Sequence, residues 1–357
     1  MIFTRSATRQ APRGFSLFKP LLTLALAAAV LLAAAWWWQR QPLVLPAGEK
    51  SVDVVVPSGS SVRGVAQAVV DAGVGTPQVT AAFSAPAALY WYFRLSNKSG
   101  GLKAGSYEVL AGDTPQILLA KLFEGKQSLR SITIVDGWNI RQVRAALAKA
   151  EYLKPSTQAM GQAELMAALG KPGVHPEGRF YPNTYSYAKG SSDLAILKLA
   201  AAAMDKQLSA AWEARASDVP LKNPTEALIL ASIIEKETGA PTDRAEIGGV
   251  FTNRLRIGML LQTDPTVIYG MSVAKGEDFD GTIGKRGLQT DTPYNTYTRG
   301  GLPPTPIAMP GKAALLAATQ PASTKALYFV ARGDGSSEFS ATLDAHNRAV
   351  NKYIRGQ

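Results

Sequence analysis

The chain has no cysteine and only two histidines, His175 and His346, in 357 residues. Without cysteine there are no disulfides, thiol nucleophiles, zinc ribbons, iron–sulfur clusters or thioether lipid anchors. Two histidines cannot make a three-histidine metal site, and they leave at most one for an acyl-transfer triad. Acid–base chemistry in such a chain falls to carboxylates, tyrosine or lysine. No metal and no cofactor is expected, and the G-x-x-G spacings form no phosphate loop. Acidic residues are missing altogether from the first forty, which hold Arg5, Arg9, Arg13, Lys19 and Arg40. The net charge of +11 therefore divides into +5 there and +6 over the rest.

Long apolar runs are also scarce. One stands out, LLTLALAAAVLLAAAWWW from Leu21 to Trp38, eighteen residues without a charge. At about 1.5 Å per residue it spans roughly 27 Å, enough for a hydrocarbon core. Four cations precede it, which predicts a cytoplasmic N-terminus, with Trp36, Trp37 and Trp38 as an aromatic belt at the far interface. A cleaved signal peptide ending at Ala33-Ala34-Ala35 is the competing reading. The three tryptophans that follow at once and the length of the run favour an uncleaved anchor. The expected order is a cytoplasmic tail (1–20), a transmembrane helix (21–38), a linker with two prolines (39–50) and an exported remainder. A charge of +6 there suits anionic wall polymers and lipid headgroups and does not call for nucleic acid.

A weak repeat follows, in copies starting at Asp53, Tyr107 and Ser131. Each runs from an alternating apolar stretch through a turn with Gly59, Gly112 or Gly137 into a pattern of helical period. Ser61, Thr114 and Asn139 are the expected helix caps. The segment GSYEVLAGDTPQILLAKLFEGK resembles a LysM module, which implies binding of N-acetylglucosamine polymers; a plain α+β spacer is the other reading. The expected fold class is α+β: the membrane helix, a LysM-like α+β region (51–155), then a mainly helical α+β domain (156–357).

In that last domain, the segment Pro224-TEALILASIIEKET reads as a buried helix, with Asn223 as cap and proline in the first turn. It ends in Glu235-Lys236-Glu237. At helical spacing the two carboxylates point about 200° apart, so one site cannot readily use both. Glu237 follows the stripe of Leu230, Ile233 and Ile234, where desolvation raises a carboxyl pKa toward neutrality, as a general acid needs. Solvated helix-end charges paired with Lys236 or Arg244 remain the competing reading at this point. Downstream lie an amphipathic helix around Val250, Phe251 and Leu255, the run Gln262-Thr263-Asp264-Pro265-Thr266, and Tyr269. A long segment of little periodicity, 271–311, carries Tyr294, Asn295 and Tyr297 among Gly and Pro turns. Aromatic rings interleaved with Asn, Gln and Asp are sugar-binding chemistry, and EGRFYPNTY from Glu177 has the same composition.

Four stretches, EGRFYPNTY from Glu177, LASIIEKET from Leu230, VFTNRLRIGMLLQTDPTVIYG from Val250 and TPYNTYTRGGLPPTPIAMPG from Thr292, resemble the MltG, or YceG-like, family of endolytic murein transglycosylases. The resemblance implies an inner-membrane enzyme whose catalytic domain (156–357) faces the cell wall. It would cleave the β-1,4 bond between N-acetylmuramic acid and N-acetylglucosamine in nascent peptidoglycan, leave 1,6-anhydro ends, and work near the peptidoglycan synthases (penicillin-binding proteins). It also implies one glutamate used twice, often followed by Ser or Thr at a helix end. Glu237-Thr238 fits that pattern, with Glu235 as the alternative. Gln262, Thr263, Asp264, Tyr269, Tyr294, Asn295, Tyr297 and Glu177 become candidates for lining the glycan cleft. Glu177 is expected either to pair with Arg179 or Arg254 or to hold the cleft together. The competing functions are a non-catalytic peptidoglycan-binding scaffold and a water-using muramidase, whose second carboxylate would be Glu177, Asp264 or Asp291.

Overall fold

The structure, a computed structural model, describes residues 18–77, 84–96, 98–237, 240–279 and 281–356. The tail cations Arg5, Arg9 and Arg13, and Thr238, lie outside the described residues. The chain divides into two compact units, Met1–Leu129 and Arg130–Gln357.

The first unit opens with α1 (Phe18–Trp38), long and apolar enough to cross a membrane by length and composition. β1 (Ser51–Val56), α2 (Val62–Asp71), α3 (Ala85–Leu95), β2 (Gly105–Leu110) and α4 (Pro115–Glu124) follow. β1 and β2 pair antiparallel, from Ser51 opposite Leu110 to Val56 opposite Gly105. Alternation puts Val54, Val56, Tyr107 and Val109 on the inner face, where Val65, Val69, Leu89, Phe93, Leu118 and Leu122 cover them. The LysM-like segment thus finds its partner strand upstream, in β1.

Two expectations about the end of α1 do not hold. Trp38 is not part of an interfacial belt. It is buried in this core, its Nε1 donating to the Pro77 carbonyl (2.8 Å) and its ring meeting Tyr92 edge-on at 5.5 Å. Trp36 and Trp37 remain exposed. Nor is 41–50 a free linker: Leu43 is buried and its N–H donates to the Asp113 carbonyl, while Val44 bridges to Gly75. Apolar side chains within reach of an unfilled core are recruited into it, and their backbone is then paired.

The three strand–turn–helix copies form as expected. Ser61 Oγ accepts from Gly64 N–H and Thr114 Oγ1 from Ile117 N–H, and Asn139 and Gln142 complete a capping box. Gly59, Gly112 and Gly137 take φ of 77°, 94° and 78°, which the turns require. The third copy joins the second unit, so the division falls at Leu129/Arg130 and not near residue 155. Its strand β3 (Leu129–Ile134) pairs with β4 (Asn183–Ala188), and α5 (Ile140–Lys149) packs Ile140, Val143 and Leu147 against Phe180, Tyr185 and Ile196.

The second unit continues with α6 (Gln162–Ala168), α7 (Asp193–Glu213), α8 (Pro224–Glu237), α9 (Arg244–Arg256), α10 (Asp264–Lys275), α11 (Lys285–Leu288), α12 (Lys312–Thr319), the hairpin β5 (Tyr328–Ala331) and β6 (Ser337–Ser340), and α13 (Leu343–Tyr353). α8 is buried from Ala227 through Ile234, inside a core shared with α7, α9 and α12. Close approach of α9 to α12 depends on Gly248, where a Cβ would collide with the Ala317 carbonyl. The segment expected to lack periodicity contains the end of α10 and the short α11. From Thr292 to Gly311 it is irregular, yet tucked against the core through Tyr294, Ile307 and Met309. His346 lies on α13, its ring stacked 5.2 Å from Tyr328.

Candidate active site

α8 is apolar until its last turn because it fills the core. Its final three residues therefore emerge where the packing ends. Glu237 stands at that point, and the Thr263 hydroxyl donates to its Oε1. Thr263 caps α10 in extended conformation, and Gln262 before it takes φ of 48°, a left-handed geometry that costs a non-glycine residue energy. Threonines fix this turn: Thr263 N–H donates to Thr296 Oγ1 (3.1 Å), Thr266 Oγ1 donates to the Thr263 carbonyl (2.7 Å), and the Thr266 and Thr296 hydroxyls lie 2.9 Å apart. Thr263, Thr266 and Thr296 are all buried.

Burial pushes the Glu237 carboxyl above its ordinary range. The Thr263 hydrogen bond opposes that shift, the charge of Asp264 adds to it, and the Arg254 guanidinium opposes it. Arg254 is itself buried and donates to the carbonyls of Leu327 (2.7 Å), Leu260 (3.2 Å) and Leu261 (2.7 Å). Its charge sits near Glu237 without being spent on a carboxylate. Asp264 accepts from the Tyr297 hydroxyl at 2.6 Å. Gln262 and Asp264 are exposed and Tyr297 half-buried, so these three present groups to solvent beside Glu237.

Glu235 is committed elsewhere. Its Oε2 accepts from Gly311 N–H (2.8 Å) and its Oε1 from Arg244 (3.3 Å). A Cβ on Gly311 would overlap the Asp136 carboxylate, so a larger residue there would require that side chain to shift. On the same helix Ser232 Oγ accepts from Ile307 N–H (3.0 Å). One side of α8 thus fastens the 305–311 loop, while its last residue faces the α10 turn.

Glu177 pairs with neither Arg179 nor Arg254. Its carboxylate accepts from Ile140 N–H (3.0 Å), at the start of α5, and from the Tyr269 hydroxyl (2.9 Å). Arg179 reaches Thr225 instead, and Arg254 the carbonyls above. Glu177 is 1% exposed, and desolvation raises its carboxyl to about 7 against those two hydrogen bonds. Tyr269 meets Tyr294 edge-on at 4.8 Å, and Tyr294 OH pairs with Thr305 Oγ1 at 2.9 Å. Both rings are buried. Asn295 is wholly buried: its amide donates to the Leu288 and Thr290 carbonyls and accepts from Tyr297 N–H. The polar groups of these buried residues are engaged by protein partners, which ties the segments beside the site together. Beside Tyr269 lies a cavity of about 240 Å³ lined by Asn139, Gln142, Lys236, Pro265, Ile268 and Asp278, among others.

The YceG-like family model matches residues 54–352. The chain belongs to the YceG-like family. A Bacillus subtilis protein named endolytic murein transglycosylase is 34% identical over 325 residues, 85% of each chain. A Streptococcus pneumoniae protein of the same name is 28% identical over 347 residues, covering 87% of this chain and 59% of its own length. A solved structure of a yceG-like protein from Listeria monocytogenes is 28% identical, with a TM-score of 0.50 over 84% of this chain and 99% of that one.

In this YceG-like chain, sequence reasoning missed Thr266, Thr296 and the placement of Arg254. All three stand within the quoted motif stretches, but a buried threonine or arginine carries no periodic signal. Only the fold shows that the first two build the Gln262–Thr263 turn and that the third aims charge at Glu237.

Proposed function

We propose that this protein is a membrane-anchored endolytic murein transglycosylase in which Glu237 is general acid and then general base. The observation that carries the reading is the pairing of Glu237, whose carboxyl burial pushes above its ordinary range, with a donor, Thr263, that favours the ionised form. A group used in both protonation states needs both influences.

Protonated Glu237 gives its proton to the glycosidic oxygen between N-acetylmuramic acid and N-acetylglucosamine. The C1–O4 bond breaks with its electrons going to that oxygen, and the N-acetylglucosamine side leaves as an alcohol. The muramoyl 6-hydroxyl oxygen bonds to C1, and its proton passes to the Glu237 carboxylate. The result is a 1,6-anhydro end, with no water consumed and the acid restored. Arg254 and Thr263 stabilise the carboxylate between the two transfers. Gln262, Asp264 and Tyr297 are the groups placed to meet sugar hydroxyls. On this reading α1 spans the inner membrane with its N-terminus cytoplasmic, and the strands come from membrane-bound synthases.

Asp264 gives a muramidase reading its one structural support, as a second carboxyl whose charge reaches Glu237. Uncrosslinked glycan strands incubated with the full chain, followed by mass analysis of the ends, separate the two. Anhydro ends that vanish in Glu237→Gln support the proposal. Ends heavier by one water indicate hydrolysis, and an active Glu237→Gln removes Glu237 as the catalyst.

A further inference from the structure

The end of the apolar helix meets α3 near its C-terminal end. Trp38, the last residue of α1, packs edge-on against Tyr92, and the Tyr92 hydroxyl donates to Gln39 Oε1 at 3.0 Å. α3 turns Leu89 and Phe93 into the core. At about 100° per residue, Tyr92 lies to one side of that buried stripe, and Leu95 and Trp91 come next around the helix. Trp91 is 51% exposed and Leu95 78%. They are one turn apart, Leu95 about 60° and Trp91 about 100° round the helix from Tyr92, which touches the end of α1. Further round come Arg94, exposed, and Tyr90. With Arg63, Ser61 and Val62 these two line a recess of about 430 Å³, and the Arg63 guanidinium lies 5.2 Å from the centre of the Tyr90 ring. Neither arginine forms a salt bridge among the described residues.

An exposed Trp–Leu flank followed by two arginines is the side-chain order of a helix lying in a membrane interface. Indole and leucine enter the headgroup–acyl boundary, and guanidinium groups meet phosphates. Continuity decides the occupant, because the lipid leaflet from which α1 emerges is beside the residues that α3 touches. We propose that α3 rests on that leaflet, with Trp91 and Leu95 inserted at the interface and Arg63 and Arg94 against the phosphates of anionic phospholipids. The first unit would then have two attachments to the bilayer, and α1 would not be its only tether. This rests on the reading of α1 as a membrane span.

The lack of native cysteine makes the test direct. Single spin labels at Leu95→Cys, at Leu32→Cys within α1 and at Ser217→Cys on the exposed surface of the second unit are compared. The full chain is placed in nanodiscs of phosphatidylethanolamine with phosphatidylglycerol. The Leu95 label should resemble the Leu32 label, being relaxed by lipid-soluble oxygen and shielded from a water-soluble nickel chelate, while the Ser217 label does the reverse. A Leu95 label that behaves like Ser217 while Leu32 stays shielded overturns the proposal alone. A Leu32 label open to the chelate overturns the span and the proposal with it. Arg63→Glu with Arg94→Glu should reduce the shielding at Leu95; unchanged shielding refutes the role of the arginines.

Discussion

The Thr263 hydroxyl donates to Glu237 Oε1, joining the last residue of α8 to the cap of α10. This one bond connects the buried helix to the turn that carries Gln262, Asp264 and, through Asp264, Tyr297. It lets a desolvated carboxyl ionise without leaving its place.

Glu237→Gln should lower strand cleavage by roughly 100- to 10,000-fold, the usual worth of a general acid–base group, with far-UV dichroism unchanged. Glu235→Gln should act differently. It weakens the Gly311 and Arg244 contacts, and so should lower the melting temperature more than it lowers turnover on the same strands.

Thr263→Val removes a donor that favours the charged form, so the Glu237 pKa should rise further. The alkaline limb of kcat/KM, where the acid is lost, should move to higher pH. Loss of one hydrogen bond to a charged group costs about 1.5 kcal/mol, and activity should fall roughly tenfold. A pH–rate profile of the variant decides this.

Asp264→Asn should shift the same limb the other way. The Asp264 charge raises the Glu237 pKa, so its removal lets Glu237 ionise more easily and brings the alkaline limb to lower pH. Opposite displacements in the two variants would locate the titrating group between them; parallel displacements would mean that another group is being followed.

Glu177 should impose a pH dependence on stability. Its carboxyl goes from an ordinary 4.5 to about 7 on folding, so the native state binds the proton more tightly. Stability is then greatest below about 4.5 and falls as the pH climbs to about 7, by about 3 kcal/mol in all. In denaturant titrations between pH 4 and 8, Glu177→Gln should flatten this decline. A decline of the same size in the variant would assign it to other groups.

Trp38→Ala should cost roughly 3–5 kcal/mol, as for other large aromatic residues removed from a core. Trp36→Ala, at an exposed position on the same helix, should cost far less. Thermal unfolding of the two full-length variants in detergent checks this.

Much of the fold was legible in the sequence because it rests on local rules. The caps Ser61, Thr114 and Asn139, the glycine turns and the apolar run of α8 each depend on a handful of neighbours. The LysM-like segment gave its strand and helix but not its partner strand. The site was legible in part. The apolar stripe of α8 set Glu237 apart from Glu235, and the Asn, Asp and Tyr content of the loops pointed to segments that the fold brings near Glu237. Their individual roles were not legible, because a polar residue in a loop reads the same whether it faces a ligand or its own backbone. Asn295 and Tyr294 face inward, and Gln262, Asp264 and Tyr297 face out.

By itself the sequence determined the elements, the long apolar helix near the N-terminus, the absence of thiol chemistry and the carboxylate best placed for desolvation, since all of these follow from composition and spacing along the chain. Tertiary structure alone decided that Trp38 belongs to a core and that Glu177 answers to Tyr269. It also decided that Glu235 is tied to Gly311 while Glu237 meets Thr263. Those outcomes depend on which distant backbone arrives beside each side chain, and no local pattern carries that information.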